Sequence, residues 1–373
     1  MNGGVCTMES KEVKILSFLQ KNPYASQQEI ANELGISRPA VANIISQLIK
    51  NGKIIGRAYV LPEKKEVICI GGANVDRKYI VKDKLFMGTP NPTTSMQSIG
   101  GVARNIAENL GRLGHSVRLL TVAGNDMEFD LIEKASSHWM NLFSVERLST
   151  HQTGTYSAVL DKEGEMLFAL ANMDIYEQLT VDYIKKHESF LTNARLLVLD
   201  MNCPKQVIEY VQGLAKGHHI PLAIIPVSSP KMNRMPDSLE GLDWLIVNRD
   251  EVETYLHVEI SDETAWKAAA EQLVSLGVKH VAITNGSKGV VSAGSSYEPM
   301  HIPAIPTTQI VDVTGAGDAF VSGTLHAWLE GEGLKEAIQA GMMNAHKTLQ
   351  SADTVRTELS KITLLKELEE QTI

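Results

Sequence analysis

Asp312-Val313-Thr314-Gly315-Ala316-Gly317-Asp318 is a glycine-rich turn, and a predicted helix follows it over 319–325. Small residues let backbone N–H groups converge on one point, and the helix N-terminus adds partial positive charge there. Such a point suits an anion, above all a phosphate. A carboxylate beside it would repel phosphate, so we interpret Asp318 as a general base for a hydroxyl that attacks the phosphate. Taken alone, the motif also fits a glycine-capped loop in which Asp318 only begins the helix.

Four further segments follow a similar pattern, in which a buried strand or a tight turn ends in glycine or polar residues. They are 67–76, 99–105, 244–251 and 281–289. In open α/β sheets, such endings build ligand sites at the carboxyl edge of the sheet. Five endings of this kind in one chain predict a ligand site more specifically than any one of them does.

Apolar strands alternate with amphipathic helices from residue 66 onward, which predicts an α/β fold with a doubly wound, mostly parallel sheet. Two segments do not fit this pattern because their polarity alternates as in β hairpins; they are 78–97 and 153–171. The predicted sheet strands are 67–71, 117–123, 195–199, 222–226, 244–247 and 280–284.

In order and spacing, these segments resemble the PfkB, or ribokinase-like, carbohydrate kinase family over residues 66–373. The residues that carry the resemblance are Asn74 and Asp76, Gly100 and Gly101 with Asn105, Asn248 and Glu251, and the turn from Gly315 to Asp318. Within the family, the segments most similar to bacterial pseudouridine kinases are 101–110, 172–175, 200–203, 226–228 and 313–319. The resemblance implies a ribokinase-like fold in which hairpins 78–97 and 153–171 form a small β lid over the sugar.

The resemblance implies transfer of the γ-phosphoryl group of ATP to a primary hydroxyl, with Mg²⁺ as cofactor and K⁺ left open as a second cation. Asp318 would accept the hydroxyl proton, and the amides of Gly315, Ala316 and Gly317 would stabilise the transferring phosphoryl group. Glu251 would hold Mg²⁺ through water. Asn248 and Glu251 also fit a helix N-cap pair. The residues implied for ATP are Asn248, Thr284, Gly286, Gly289 and Asn344.

The sugar would be held near the lid. Asp76 and Asn105 can hydrogen-bond the vicinal hydroxyls of a ribose, and Gly101 would let the ring approach the backbone. Asn74 belongs to the same motif as Asp76, although Asn and Asp also favour turns. Two more implied substrate contacts fall where the lid returns and could touch a base; they are Asn172 and Met173, and a Met side chain is more often packing.

The implied reaction is phosphorylation of the 5′ hydroxyl of a ribosyl nucleoside, with pseudouridine as the expected acceptor. A kinase for another sugar or nucleoside, and a transcriptional regulator that senses one, remain alternatives. Two departures from the family pattern keep the substrate open. The segment 124–129 lacks the last glycine of Gly-x-Asp-x-x-Gly, and Ile225 stands where pseudouridine kinases have an Asp.

Composition limits the class of protein. The chain has 373 residues and 43% apolar content, enough for one large and one small domain. Three distant cysteines, Cys6, Cys69 and Cys203, indicate reduced thiols rather than a disulfide framework or zinc site. No segment resembles a membrane span or a secretory signal. We therefore expect a cytoplasmic protein with no membrane partner, and we expect it to form a homodimer.

Residues 8–61 resemble a bacterial winged helix-turn-helix domain, followed by a short charged linker. Val13, Leu16 and Leu19 recur at helical spacing in a first helix. Ser26-Gln27-Gln28-Glu29 is a capping box for a second helix, which Gly35 ends. Ser37 caps a third helix with a buried face, and 53–61 is predicted to form a hairpin wing.

The N-terminal module carries a net charge of +3 over residues 1–61, within a chain of net charge −9. This asymmetry predicts two modules with different partners, with double-stranded DNA open as the partner of the first. Arg, Asn and Gln can contact base edges, and Lys and Arg suit phosphates. The candidate DNA contacts are Arg38, Asn43, Gln47, Lys50, Lys53 and Arg57. The alternative is that the module only mediates assembly.

Overall fold

A computed structural model describes residues 10–55, 65–307 and 309–371 of the chain. The chain divides into two units, Met1–Lys65 with Lys186–Ala194, and Glu66–Lys185 with Arg195–Ile373. The α-helices are α1 (Lys11–Lys21), α2 (Gln27–Leu34), α3 (Arg38–Lys50), α4 (Val102–Arg112), α5 (Met127–Ser136), α6 (Val181–Lys186), α7 (Glu188–Leu191), α8 (Lys205–His218), α9 (Arg249–Leu256), α10 (Glu263–Ser275), α11 (Ala316–Leu329), α12 (Leu334–Thr348) and α13 (Lys361–Gln371).

The strands are β1 (Val67–Ile70), β2 (Asn74–Val81), β3 (Thr93–Gly100), β4 (Val117–Leu120), β5 (Val122–Gly124), β6 (Glu146–Leu148), β7 (Gly154–Leu160), β8 (Met166–Asn172), β9 (Leu196–Asp200), β10 (Leu222–Ile225), β11 (Trp244–Asn248), β12 (His280–Thr284), β13 (Val290–Gly294) and β14 (Tyr297–Ile302). Short 3₁₀ segments lie at Asp174–Gln178, Ser229–Arg234 and Gly286–Lys288.

The main sheet has the strand order β14-β13-β12-β11-β10-β9-β1-β4. The strands from β12 to β4 pair in parallel, and β13 and β14 extend that edge antiparallel. Strands such as β1 and β9 are buried along their whole length, as expected where helices cover both faces. The strand order reverses at β1, which lies between β4 and β9. This topological switch point is where ligands bind in open α/β sheets.

One predicted strand is divided in the structure. The predicted 117–123 segment forms β4 in the main sheet and β5 in a separate two-stranded sheet with β6. Thr121 lies between them, and its carbonyl accepts hydrogen bonds from the Glu146 backbone N–H and the Tyr183 hydroxyl. Because the Thr121 carbonyl is used in these bonds and not in the pairing with β1, strand β4 ends at Leu120. The antiparallel edge strands β13 and β14 were not among the predicted strands.

The lid is a separate sheet with the order β3-β2-β7-β8. The hairpins predicted at 78–97 and 153–171 are present as β2–β3 and β7–β8, and parallel pairing of β2 with β7 joins them. Strand β2 begins at Asn74, so Asn74 and Asp76 lie on a lid strand rather than in a turn. The alternative interpretation of these two residues as turn formers is therefore wrong.

The three predicted N-terminal helices are present as α1 to α3. Ser26 and Glu29 form the predicted capping box, and Gly35 ends α2 with a φ of 64°. Two details differ. Ile15 and Leu19 are the buried residues of α1, while Val13 is 44% exposed. Ser37 occupies the N-cap position of α3 without a side-chain hydrogen bond.

The side chains proposed for DNA are exposed on α3 and beyond it; Arg38, Asn43, Gln47, Lys50 and Lys53 all face solvent in this unit. Lys53 lies 4.0 Å from Glu12, a distance at which an exposed ion pair contributes little. Arg57 and most of the predicted wing at 53–61 lie outside the described residues. Within the described residues, no helix is both long and apolar enough to cross a membrane.

Candidate active site

Asp318 lies in the first turn of α11, directly after the glycine turn. Its Oδ2 accepts a hydrogen bond of 2.8 Å from the Asn105 side-chain amide. Burial is the main reason that the pKa of Asp318 is raised to about 7; the Asn105 hydrogen bond opposes this shift, whereas the negative charges of Asp200 and Asp76 add to it. A carboxylate that titrates near neutrality matches the requirement for a general base.

Asp76, on lid strand β2, is the second carboxylate of the candidate site. Burial raises its pKa to about 6, against the lowering effects of Lys78, Asn74 and Arg104. The Asn74 side-chain amide donates to Asp76 Oδ1, and Asn74 itself is buried. Asn74 therefore orients Asp76 from behind. Asp76 is half-buried and therefore more exposed than the Asn74 side chain that orients it.

Asn105 connects the start of α4 to the catalytic turn. Its Nδ2 donates to Asp318, and its Oδ1 accepts a 3.1 Å hydrogen bond from Arg104. Arg104 in turn pairs with Glu108 in a buried contact. Asn105 is 3% exposed, so its position is fixed by the protein before any ligand binds. The predicted sugar contact is thus also a support for Asp318.

Gly101 is required for a different reason from the one predicted. Its φ is 99°, and a Cβ there would meet the carbonyl oxygen of Gly72 at 2.4 Å and the Cα of Ala73 at 2.5 Å. The space that a side chain would fill is therefore occupied by the chain after β1. Glycine therefore lets α4 start against the Gly72–Ala73 backbone, and the approach of a sugar ring to the Gly101 backbone stays a prediction.

The glycine turn before α11 opens the helix as predicted. Gly315 has a φ of 82° and is the N-cap residue of α11. A Cβ on Gly317 would meet nothing within 4 Å, so the backbone there is open to a ligand. The Ala316 amide has one long contact, 3.4 Å to the Val313 carbonyl. First-turn amides have no intrahelical partners, so this turn presents N–H donors to an anion.

A cavity of about 320 Å³ adjoins the turn and forms the candidate nucleotide site. Ala316 and Gly317 line one side of it, and Thr284, Gly286 and Gly289 line another, as predicted. Sequence reasoning missed its apolar walls, which come from the start of β13, the segment after β14, α11 and the end of α12. They include Val290, Ile305, Phe320, Met342 and Leu349. An apolar slot of this kind suits a flat base.

Asn344 does not belong to the cavity lining. It is fully buried, and its amide donates to Asn109 Oδ1 at 3.1 Å and to the Ala319 carbonyl at 2.9 Å. Its Oδ1 accepts from Arg356. Because both ends of the amide are used within the protein, Asn344 holds α12 against α11. The expectation that it contacts ATP is corrected.

Asn248 and Glu251 form a reciprocal capping box at the start of α9. The Asn248 side chain accepts from the Glu251 backbone N–H, and Glu251 Oε2 accepts from the Asn248 backbone N–H, each at 2.8 Å. The alternative interpretation as an N-cap pair is therefore correct. Burial raises the pKa of Glu251 to about 7. A nearby cation would favour its charged form, so the carboxylate remains suited to a hydrated Mg²⁺.

No group of three or more His, Cys, Asp or Glu side chains within the described residues could hold a metal ion by itself. Mg²⁺ in phosphoryl-transfer sites usually keeps several waters and is held by one or two carboxylates together with the substrate phosphates. A single carboxylate, Glu251 in the first turn of α9, fits this type of site.

The lid register corrects one substrate prediction. Asn172 is paired with Thr155, which is paired with Val75, whereas Asp76 is paired with Tyr156. Because side chains alternate across a sheet, Asn172 shares the face of Val75, opposite to Asp76. The predicted contact of Asn172 with the base is not supported. Met173 follows β8 and is half-buried; its contact with a base stays a prediction.

Two residues of the site have no clear signal in the sequence. Asp200 is fully buried, and its carboxylate accepts backbone N–H groups from Gly72, Ala103 and Asn202, each at 2.8 Å. Tyr176 bonds both the N–H and the carbonyl of Ala73 through its hydroxyl. Together they hold the chain after β1 against the start of α4. The sequence pointed at Asp200 only through the segment 200–203, which resembles pseudouridine kinases, and gave it no role.

The two family departures have simple structural consequences. Asp126 is the N-cap of α5, and it also accepts the Thr153 backbone N–H at 2.8 Å, just before β7. Phe129 stands at the position of the missing glycine and is buried inside α5. Ile225 is buried in the sheet beside Asp200. The loss of the glycine at position 129 preserves the turn at Asp126, whereas Ile225 removes a polar group.

Residues 64–360 match the pfkB family carbohydrate kinases, and residues 8–55 match winged helix-turn-helix DNA-binding domains. The chain is 30% identical to YeiI, an uncharacterized sugar kinase of Escherichia coli K12, over 88% of this chain and 91% of that protein. It is 28% identical to the pseudouridine kinase of the same organism, over 80% and 95%. A solved carbohydrate kinase from Agrobacterium tumefaciens superposes with a TM-score of 0.72 at 28% identity, covering 82% and 97% of the two chains.

Proposed function

The chain belongs to the pfkB family of carbohydrate kinases and carries an N-terminal winged helix-turn-helix domain. From that premise, we propose that it phosphorylates the 5′ hydroxyl of a ribosyl nucleoside, foremost pseudouridine. The observation that carries the proposal is Asp318, a carboxylate with a pKa of about 7 beside the open backbone of Gly317. ATP is the phosphoryl donor of such a kinase. Because ATP is present in the cytoplasm, we propose a cytoplasmic location for the protein.

In the proposed reaction, Asp318 accepts the proton of the acceptor hydroxyl as it attacks the γ-phosphorus. The N–H groups of Gly315, Ala316 and Gly317 then stabilise the charge on the phosphoryl oxygens. Asp76, oriented by Asn74, accepts hydrogen bonds from the sugar hydroxyls. Asn105 holds Asp318 in position for the proton transfer.

The nucleotide would occupy the cavity lined by Thr284, Gly286 and Gly289. Glu251 would hold Mg²⁺ through water, and the ion supplies positive charge that neutralises the phosphates during transfer. Asn248 supports Glu251 through the capping box. K⁺ remains a proposed second cation without an assigned residue.

Pseudouridine is proposed because of the matching segments around the site and the relative that carries that name. Ile225 lacks the polar group expected beside the substrate, so ribose or another nucleoside is the second candidate. A coupled ATP-consumption assay over pseudouridine, uridine, guanosine, inosine and ribose tests the choice, with Asp318→Asn as the control. Pseudouridine should give the highest kcat/KM, and NMR of the product should place the phosphate on the 5′ oxygen.

A higher kcat/KM for ribose or another nucleoside would contradict the pseudouridine assignment and leave the kinase assignment intact. Binding of a nucleoside without ATP turnover would instead favour the sensing regulator. The retained base and the glycine turn argue against that outcome, because a sensor needs neither.

We further propose that the N-terminal domain binds double-stranded DNA through α3. The exposed side chains Arg38, Asn43 and Gln47 favour this function, since each type can hydrogen-bond base edges in a major groove. Lys50, Lys53 and Arg57 are the proposed phosphate contacts. A homodimer would strengthen weak binding by a single domain, and analytical ultracentrifugation would measure the oligomeric state.

A further inference from the structure

Lys78 links the lid to the catalytic turn. It lies on β2 two residues after Asp76, so the two side chains share one face of the lid sheet. The Lys78 ammonium donates to Asp312 Oδ2 and, at 3.1 Å, to Thr314 Oγ1. The ion pair is only a quarter exposed at both side chains. No family motif quoted above includes this lysine.

Asp312 is an organising residue of the turn. Its Oδ1 accepts the Thr314 backbone N–H at 2.9 Å and the Thr314 hydroxyl at 2.7 Å. Thr314 directly precedes Gly315, the N-cap residue of α11. Lys78 therefore contacts the two side chains that shape the entry into the anion-binding turn.

We propose that Lys78 is a positioning residue that holds the phosphoryl-transfer turn in its catalytic arrangement when the lid covers the acceptor. This inference rests on the proposed kinase function and adds a residue to its machinery. A sugar bound by Asp76 fixes β2, and Lys78 transmits that constraint to Thr314. Transfer geometry then depends on the lid, because a displacement of about 1 Å at the reacting groups can cost on the order of 100-fold in rate.

The charge of Lys78 has a second consequence. Asp312 brings a negative charge close to the site where the γ-phosphoryl group must bind, and like charges repel. The Lys78 ammonium neutralises Asp312. An uncharged residue at position 78 would therefore both loosen the turn and expose the transferring phosphate to that repulsion.

The proposal differs from a purely structural ion pair in what it predicts. A partly exposed salt bridge contributes little to stability, so loss of Lys78 should leave folding nearly unchanged. Lys78→Met should nevertheless lower kcat by about 10- to 100-fold, with the KM values for ATP and acceptor within about threefold of wild type. Lys78→Arg should recover most of the rate because it retains the charge.

The test uses the full chain with five variants, Lys78→Arg included. Asp312→Asn should lower kcat less than Lys78→Met, because it breaks the link without leaving an unpaired negative charge. The double variant should be no worse than Lys78→Met, because both substitutions remove the same link. Lys82→Met is the matched control; this lysine is exposed one residue beyond β2 and should show wild-type kinetics. An unchanged kcat in Lys78→Met, or kinetic losses that simply add in the double variant, would overturn the proposal.

A second readout separates this inference from the proposed function. Amide hydrogen exchange of the ligand-free chain should be faster at Thr314 in Lys78→Met than in wild type, with the middle of α11 unchanged. If the wild type phosphorylates no acceptor, the kinase proposal fails and the exchange result alone decides the link. If the wild type is active while neither kcat nor Thr314 exchange responds, the link is wrong and the kinase function stands.

Discussion

At the scale of single residues, burial determines the chemistry of the carboxylates. Burial raises the pKa values of both Asp318 and Asp76, and the negative charge of Asp76 adds to the shift of Asp318. Burial also raises the pKa of Asp200, but three backbone N–H groups donate to its carboxylate and oppose that shift. The first two retain basicity for use on a ligand, whereas the third is committed to holding the chain together.

The pKa of Asp318 predicts how activity depends on pH. Only the deprotonated carboxylate can accept a proton, so kcat/KM should fall about tenfold per pH unit below about pH 7. A pH–rate profile measures this, and Asp318→Asn should abolish turnover while leaving the affinity for ATP within a few fold. A flat profile between pH 5 and 8 would contradict the role as base.

The same pKa predicts an effect on stability. The pKa of folded Asp318 lies above that of the unfolded chain, so folding is penalised increasingly as pH rises through about 7. Asp318→Asn removes this penalty. The gain in Tm from the substitution should therefore be larger at pH 8 than at pH 5. An equal gain at both pH values would show that the raised pKa is not realised.

Gly101 allows a matched pair of substitutions. Gly101→Ala should cost about 3 kcal/mol or more, because positive φ and close backbone contacts act together. Gly114 also has positive φ, but a Cβ there meets nothing within 4 Å, so Gly114→Ala should cost only about 1 kcal/mol. Guanidinium unfolding measures both. Equal losses would mean that the contact with Gly72 and Ala73 does not constrain position 101.

At the scale of elements, helix starts place most of the functional groups. Helix α11 carries Asp318 in its first turn, α9 is capped by Asn248 and Glu251, and α4 begins against the chain after β1. Apolar periodicity explains where these helices are buried. Their caps explain where they begin, and the beginnings are what bring N–H donors and carboxylates to one edge of the sheet.

Two serines at N-cap positions of the N-terminal domain allow the effect of a cap on helix stability to be measured. Ser26 makes a side-chain hydrogen bond in its capping box, whereas Ser37 holds the equivalent position of α3 without one. Ser26→Ala should destabilise α2 by about 1 kcal/mol, and Ser37→Ala should change α3 by less than about 0.5 kcal/mol. Hydrogen exchange of 27–34 and 38–50 measures the two effects. A loss as large at Ser37 would show that it caps α3 in solution.

At the scale of the whole molecule, a kinase unit and a helix-turn-helix unit share one chain but have opposite charge. The net charge of residues 1–61 is +3, whereas the chain as a whole carries −9. An acidic kinase unit cannot attract DNA by long-range electrostatics, so any affinity for DNA must come from the N-terminal unit.

DNA binding should therefore weaken steeply with added salt, because lysine and arginine displace counterions from phosphates. Arg38→Ala should relax sequence preference by about 1–3 kcal/mol, whereas Lys53→Ala should weaken binding to all sequences alike. A salt-series mobility shift with DNA from upstream of the gene measures both, with residues 66–373 as the control. Equal affinity of the full chain and that control would mean that the unit serves assembly only.

Local sequence patterns determined most of the fold and half of the site. The glycine turn, the capping boxes and the alternating hairpins each depend on residues a few positions apart, and all are present. Contacts between distant segments were decided only by the tertiary structure. Asp200 reaches Gly72 across 128 residues and Lys78 reaches Asp312 across 234. A local pattern cannot encode such pairs, since each residue alone fits many environments. For the same reason, the sequence assigned Asn344 to ATP and Asn172 to the base, whereas Asn344 is buried against Asn109 and Asn172 lies on the lid face opposite to Asp76.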